Sequence, residues 1–326
     1  MIHGGNVWHG EAPERWLDFS ANLRPEGPPG WVQAVLADAA RAARYYPDPA
    51  MRAARAGLAA YAGVPVECVL PTAGGIEAID AVCRAGTGRV MVSGSTFGEY
   101  ARRAAACGRP VVSGGDMRAG DTLFLCNPNN PTGAAVARAK VLERAARARS
   151  FGAFLCADEA FADFCPEISC RDRAAAGELV VVGSLTKALC VPGVRLGYLI
   201  AAPEAVERYG AIVAPWSLNA FAAAIAAALP EHQSELDADR RRNEERRTRL
   251  AADLRALGAA VPDSRANFLL PDFARPMKPV ISRLKARSVL VRDCASFGLG
   301  EGQIRVAVRT EDENARLISA LREAFA

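Results

Sequence analysis

A chain of 326 residues, 51% of them hydrophobic, is long enough for one large globular domain or two coupled ones. The net charge is only +4, and glutamates interrupt even the densest basic run at 240–247, which argues against a nucleic-acid-binding protein and favours a solvated helix face. The nine cysteines form no C-x-x-C pair, so free thiols in a reducing compartment are favoured over disulfides or a zinc site. We therefore expect no bound metal. The start of the chain has no signal-peptide pattern, so we expect a cytoplasmic protein.

The first two hundred residues predict alternating helices and buried strands. An irregular arm to about residue 30 precedes a helix over 31–44, which ends at the Tyr-Tyr-Pro-Asp-Pro run of 45–49. Short apolar runs then alternate with Ala-rich helical segments, which is typical of an α/β doubly wound, mostly parallel sheet. The strand candidates are Cys68–Pro71, Arg89–Ser93, Pro110–Ser113, Thr122–Cys126, Ala153–Ala157, Leu179–Gly183 and Leu196–Ala201.

The pattern changes after about residue 216 and predicts a smaller α+β domain. A long helix over 217–258 is followed by short strand candidates and a final helix from about 311. The strand candidates are Asn267–Pro271, Val289–Arg292 and Gln303–Val308. The uncharged stretch 210–230 contains Pro215 and Asn219, which predicts a buried helix preceded by a loop and no membrane span. We expect a large domain over 31–215 and a small domain made of 1–30 and 216–326.

Two strand ends carry residues suited to binding an anion and a ring oxygen. The glycines at 74 and 75 lie between a strand and a helix, where backbone N–H groups and the helix dipole attract an anion. A plain strand-to-helix turn explains the same residues. The loop at 127–133 has two prolines and a glycine, which place Asn130 at the end of its strand, although an ordinary turn is the alternative.

The next two strand ends carry a carboxylate and a lysine. Asp158 ends a buried strand, where a carboxylate is costly unless it has a partner, and capping of a helix is the simpler role. Lys187 follows two hydroxyl residues, Ser184 and Thr186, and precedes Arg195. A desolvated lysine forms Schiff bases, and arginine binds phosphate with a bidentate fork. A surface lysine with a structural arginine is the alternative.

The order of these segments resembles the fold-type I enzymes that depend on pyridoxal 5'-phosphate (PLP), the aspartate-aminotransferase-like superfamily, over essentially the whole chain. The resemblance implies that Lys187 forms the Schiff base, that Asp158 pairs with the pyridine nitrogen and that Asn130 bonds the ring oxygen. It also implies an aromatic residue stacked on the ring, a phosphate site, a tyrosine from the partner subunit of a homodimer and a carboxylate-binding arginine. These positions are Phe97 for stacking, Gly75, Ile76, Ser184, Thr186 and Arg195 for the phosphate, Tyr46 for the partner's tyrosine and Arg305 for the carboxylate.

The two ends of the chain resemble one group within that superfamily, the threonine-phosphate decarboxylases of cobalamin biosynthesis. The matching runs are 3–6, 17–22, 46–49, 158–164 and 305–310. They imply a phosphorylated amino-acid substrate held by His3, Asn6, Asn22, Arg305 and Arg309, and within this group either arginine could take the carboxylate and the other the phosphate. The cofactor motifs alone do not choose between decarboxylation and transamination. Histidinol-phosphate aminotransferase is the alternative, although many of those enzymes carry a tyrosine where this chain has Phe161.

Overall fold

The computed structural model describes residues 4–8 and 12–326, and within them the strands follow the sequence prediction closely. All seven strand candidates before residue 216 form strands, with ends that differ by a few residues. The strands are β1 (Leu17–Asp18), β2 (Val69–Thr72), β3 (Val90–Met91), β4 (Val111–Val112), β5 (Thr122–Cys126), β6 (Phe154–Asp158), β7 (Val180–Ser184), β8 (Gly197–Ile200), β9 (Phe268–Leu269), β10 (Val289–Leu290), β11 (Arg292–Asp293) and β12 (Ile304–Ala307).

The helices of the described residues cover both faces of the large sheet and one side of the smaller one. They are α1 (Gly30–Ala39), α2 (Arg52–Ala62), α3 (Gly75–Ala85), α4 (Glu99–Ala106), α5 (Arg138–Ser150), α6 (Arg171–Ala175), α7 (Pro203–Gly210), α8 (Ala220–Ala228), α9 (Gln233–Ala256), α10 (Lys278–Lys285) and α11 (Glu311–Phe325). None of the described helices is both long and apolar enough to cross a lipid bilayer.

The large sheet has seven strands in the order β2-β8-β7-β6-β5-β3-β4. The pairs from β7 through β4 are parallel, but β8 is antiparallel to both of its neighbours. Parallel neighbours need a crossover element, whereas the segment 185–196 between β7 and β8 consists mainly of turns. The prediction of a mostly parallel sheet is confirmed, and β8 is its antiparallel member.

The predicted helix over 217–258 is two helices. Its first part is α8 and its second part is α9, and a short 3-10 helix over Leu229–His232 separates them. Pro230 explains the interruption, since proline lacks the N–H that an α-helix interior requires. Leu218, Ala222 and Ile225 pack in the core of the large sheet, so α8 belongs to that core although it follows residue 216.

The smaller core combines both ends of the chain. Strand β12 lies between β11 and β9 in an antiparallel sheet, and β1 pairs in parallel with β10. Leu17 and Phe19 of the arm are buried with side chains from α9, α10 and α11. The arm is therefore irregular only in part. The domain boundaries proposed from the sequence stay a prediction.

Gly197 provides a test of the packing between β8 and the loop before α3. An ideal Cβ at Gly197 would lie 2.4 Å from the carbonyl carbon of Gly74 and 2.5 Å from the nitrogen of Gly75, so backbone would have to move. We expect Gly197→Ala to lower the free energy of unfolding by about 1–3 kcal/mol or more, as measured by urea denaturation. Gly193→Ala is the matched control, because its Cβ meets no atom within 4 Å and should change stability by less than about 0.5 kcal/mol. Equal effects of the two variants would contradict this packing.

Candidate active site

The carboxyl ends of β5, β6 and β7 bring three of the predicted site residues to one edge of the sheet. Cys126 is the register partner of Asp158, which in turn pairs with Val182. The N–H of Asn127 donates to the carbonyl of Asp158 at 2.8 Å, so the loop that carries Asn130 begins beside Asp158. Ligands collect at this edge in open α/β sheets, because the loops there lie outside the sheet core.

Asp158 is a buried carboxylate with two hydrogen-bond donors. The Tyr100 hydroxyl donates to Oδ2 at 2.6 Å, and the Ala160 N–H donates to Oδ1 at 3.0 Å. Burial raises the pKa of Asp158, while the two hydrogen bonds and the charge of Lys187 act in the opposite direction. The hydrogen bond from Ala160 is a local capping contact of the kind that was the simpler role expected for Asp158 from the sequence. It occupies one oxygen and does not exclude a partner beyond the strand end.

Lys187 lies in the turn segment after β7, within the electrostatic reach of Asp158. Burial of its amine lowers the pKa of Lys187 to about 8, with Arg195 and Arg305 acting in the same direction and Asp158 against them. The Lys187 carbonyl accepts the Arg24 N–H at 3.1 Å, which fixes the backbone against the N-terminal arm. At neutral pH a useful fraction of the amine is therefore unprotonated and nucleophilic. The alternative of a surface lysine does not fit this environment.

The start of α3 forms an anion cradle with Arg195. Gly74 has φ +79°, and an added Cβ there would lie 2.7 Å from Nη2 of Arg195. An added Cβ at Gly75 would lie 3.4 Å from the Ser184 Cβ. The first N–H groups of a helix, here including Gly75 and Ile76, have no intrahelical acceptor, so they are available to an anion.

The Thr186 hydroxyl gives separate evidence that a ligand binds at this cradle. Its side chain is buried, and its hydroxyl has no hydrogen-bond partner among the described residues. A buried hydroxyl without a partner is costly unless a ligand or ordered water completes it. A phosphate at the start of α3 provides the kind of acceptor that Thr186, Ser184 and Arg195 require.

Asn130 and Arg305 are joined directly. One guanidinium nitrogen of Arg305 donates to Oδ1 of Asn130, and the other donates to the Ser20 carbonyl at 2.7 Å. The guanidinium also lies 5.3 Å from the Phe268 ring centre. Because Oδ1 of Asn130 is occupied, its amide nitrogen is the group left to donate to a ring oxygen. Burial lowers the pKa of Arg305 to about 10, which leaves it a cation at neutral pH.

Arg292 is a candidate site residue that sequence reasoning missed. It is the register partner of Arg305 on β11, it is buried, and its charge contributes to the lowered pKa of Arg305. Its guanidinium donates to the Ser296 hydroxyl at 2.7 Å. The sequence signal was an arginine that ends an apolar strand run, but only the register shows that it lies beside Arg305.

The other predicted substrate residues divide into three groups. Asn22 is buried, and its Oδ1 has no hydrogen-bond partner among the described residues. Asn6 is exposed, and His3 lies outside the described residues. Arg309 pairs with Glu313 at 2.8 Å and donates to the Asp18 carbonyl at 3.1 Å, which ties it to the small domain. Substrate binding by these four residues stays a prediction.

The roles of the two aromatic candidates, Phe97 and Tyr46, stay predictions. Phe97 packs edge-on against Tyr100, with ring centres 5.6 Å apart, and the Tyr100 hydroxyl in turn donates to Asp158. Tyr46 is 83% exposed and touches Trp216, with ring centres 5.0 Å apart. A tyrosine so exposed in one subunit is free to reach a second one.

A lysine with a lowered pKa, a buried aspartate, an asparagine and a phosphate cradle at the ends of adjacent strands define a PLP-dependent enzyme of fold type I. The model of the family described as aminotransferase class I and II matches residues 14–321. The chain therefore belongs to that family, and its cofactor is PLP. The unpartnered Thr186 hydroxyl and the cradle at Gly74 fit the cofactor phosphate.

Two kinds of enzyme recur among the proteins similar to this chain. The threonine-phosphate decarboxylase of Salmonella typhimurium is 33% identical, with 98% of this chain and 95% of that protein covered. Histidinol-phosphate aminotransferase 1 of Pasteurella multocida is 31% identical over 85% of each protein.

Solved structures show the same fold. L-threonine-O-3-phosphate decarboxylase from Porphyromonas gingivalis has a TM-score of 0.86 at 24% identity, covering 94% of this chain and 98% of that one. Histidinol-phosphate aminotransferase from Sinorhizobium meliloti, in complex with PLP, has a TM-score of 0.82 at 20% identity, covering 93% and 89%.

The pKa of Lys187 predicts how the cofactor attaches to apoenzyme. The rate of attachment should rise with pH as the amine loses its proton and should level off above about pH 8. Stopped-flow absorbance after mixing apoenzyme with PLP measures this rate, and Lys187→Ala gives the background of non-covalent binding. If the rate kept rising as the pH approached 10.5, the ordinary pKa of lysine, the amine would not be desolvated in this way.

Proposed function

We propose that the protein decarboxylates L-threonine O-3-phosphate to (R)-1-amino-2-propanol O-2-phosphate, a step of cobalamin biosynthesis. The observation that carries this proposal is the likeness to the Salmonella typhimurium threonine-phosphate decarboxylase, which extends over 98% of the chain. The matched length includes the N-terminal arm, where Ser20 contacts Arg305 and Arg24 contacts Lys187. These contacts support a role for the arm on the substrate side of the site.

The charges of the site suit a substrate with two anionic groups. Threonine phosphate carries a carboxylate and a phosphate, and the site offers Arg292 and Arg305 side by side on adjacent strands. Both are buried, which strengthens their attraction for anions relative to an exposed arginine. Asn22 adds a buried amide oxygen that has no partner in the part of the chain that the structure describes, and this oxygen would accept from a substrate donor.

The chain's own residues divide the catalytic work. When bound, PLP supplies an electron sink for the pair left by a broken bond at the substrate's α-carbon. Asp158 would keep the cofactor's ring nitrogen protonated. Arg305 would hold the substrate carboxylate, whose bond to the α-carbon breaks when it stands perpendicular to the cofactor ring. The carboxylate leaves as carbon dioxide, and Lys187 or a water returns a proton to the same carbon. No keto acid takes part in this sequence.

Histidinol-phosphate transamination is the alternative, since aminotransferases of that kind are also similar to this chain. Its substrate carries a phosphate as well, so the arginine pair alone does not decide. Phe161 favours decarboxylation, because it is buried with its ring centre 5.1 Å from that of Phe268 and offers no hydroxyl to the cofactor.

Product analysis separates the two reactions. We expect holoenzyme to release carbon dioxide from threonine phosphate, with one amine product per carbon dioxide, in the absence of any keto acid. Mass spectrometry of the product and trapping of the gas measure both. Formation of glutamate from 2-oxoglutarate and histidinol phosphate, with no carbon dioxide released from threonine phosphate, would select the alternative instead. Lys187→Ala is the control for uncatalysed loss.

Arg292 should act on substrate binding more than on the cofactor. We expect Arg292→Gln to raise KM for threonine phosphate roughly tenfold to a hundredfold, because a charged hydrogen bond is worth about 1.5–3 kcal/mol. The visible spectrum of the cofactor should not change. Arg287→Gln, which removes an exposed partner of Glu323, is the matched control. An unchanged KM would remove Arg292 from the substrate site.

The homodimer and the cytoplasmic location stay predictions. The exposure of Tyr46 beside Trp216 supports an assembly in which Tyr46 of the partner subunit completes the phosphate site.

A further inference from the structure

Tyr100 occupies a position that the sequence analysis did not consider. It lies in α4, its side chain is completely buried, and its hydroxyl donates to Oδ2 of Asp158 at 2.6 Å. Its ring stacks on Phe124, with centres 4.7 Å apart and planes 7° apart. Its edge meets Phe97. One side chain therefore contacts two of the residues assigned to the cofactor ring.

The surroundings of Asp158 make that hydroxyl important. The titratable groups that face Asp158 are Tyr100 from α4, Cys126 from β5, Cys156 from its own strand and Lys187 from the turn after β7. Burial raises the pKa of both cysteines, so they remain neutral thiols at neutral pH. Tyr100 is then a neutral donor that stabilises the carboxylate whatever the charge of Lys187.

Tyr100 also keeps its proton under all ordinary conditions. Complete burial, followed by the charge of Asp158, raises its pKa well above that of an exposed tyrosine. A donor that never ionises offsets part of the desolvation cost of the Asp158 anion. Because its ring is stacked on Phe124, the Tyr100 hydroxyl is fixed in one direction. It holds the α4 side of the Asp158 carboxylate, so a further partner approaches the carboxylate from the side away from α4.

We propose that Tyr100 is a positioning residue that orients Asp158 toward the cofactor's ring nitrogen and keeps it ionised. Its contact with Phe97 lets the same side chain support the aromatic wall of the pocket. This role does not depend on whether the enzyme decarboxylates or transaminates, because both reactions use the same electron sink. A failure of the proposed function therefore leaves it intact.

The test compares Tyr100→Phe with Tyr209→Phe, both as holoenzymes. Tyr209 belongs to the same apolar cluster as Tyr100 and is 1% exposed, so it controls for the loss of a buried hydroxyl. Without the Tyr100 hydroxyl the pKa of Asp158 rises, and the acid limb of the kcat profile should move to higher pH. The dissociation constant for PLP, measured by dialysis and absorbance, should rise roughly tenfold. Tyr209→Phe should change neither quantity.

A cycle with Asp158→Asn tests whether Tyr100 acts through the carboxylate. In that background the further change Tyr100→Phe should leave PLP affinity unchanged within about twofold. An equal loss of affinity with and without Asp158 would overturn the proposal, as would equal behaviour of Tyr100→Phe and Tyr209→Phe.

A second probe covers the case in which Tyr100→Phe does not fold. Replacement of Tyr100 by 3-fluorotyrosine keeps the ring and the hydroxyl but makes the hydroxyl a stronger donor. The acid limb of kcat should then move to lower pH, opposite to Tyr100→Phe. An acid limb that does not move in the folded fluorinated enzyme would overturn the proposal.

Discussion

The buried carboxylate of Asp158 is the constraint on which the site depends. A carboxylate at the end of a strand within a covered sheet loses its water, and it remains charged only where donors and cations replace that water. Two hydrogen bonds and the nearby amine of Lys187 do so here. The amine is also desolvated, and its pKa is lowered to about 8. Lys187 thus helps to keep Asp158 ionised, whereas burial, Arg195 and Arg305 lower the pKa of Lys187 against the opposing charge of Asp158.

The order of the strands makes that arrangement possible. Because β5, β6 and β7 are neighbours and parallel, Asn130, Asp158 and Lys187 reach one edge although nearly sixty residues separate the first from the last. The reversed strand β8 then returns the chain to Gly74 and Gly75, which brings Arg195 to the start of α3. The second core adds Arg292 and Arg305 from the opposite side. The residues of the cofactor site, Arg195 among them, lie beside one core, and Arg292 and Arg305, which we propose bind the substrate, lie on the strands of the other.

Most strands, and the meeting of Asn130, Asp158 and Lys187 at one edge of the sheet, could be predicted from the sequence, because buried parallel strands are apolar runs and these residues follow them directly. The direction of β8 was not predictable from its composition, since apolar runs look alike in either direction. Pro230 was visible, but an Ala-rich segment on one side and an Arg-rich one on the other still suggested one helix. Arg292 and Tyr100 were missed for a different reason. Each matters because of the residue that it faces. Strand register and side-chain packing decide that contact, and neither can be predicted from the neighbouring sequence.

The N-terminal arm carries a practical consequence. The Gly5 N–H donates to the Ser20 hydroxyl at 2.8 Å, and the Ser20 carbonyl accepts from Arg305. An added Cβ at Gly4 would lie 2.0 Å from that carbonyl oxygen, so the arm packs against Ser20 without room for a side chain. A side chain at position 4 would therefore push on the carbonyl that accepts from Arg305, so a change in the arm would reach Arg305 without altering any residue of the large sheet.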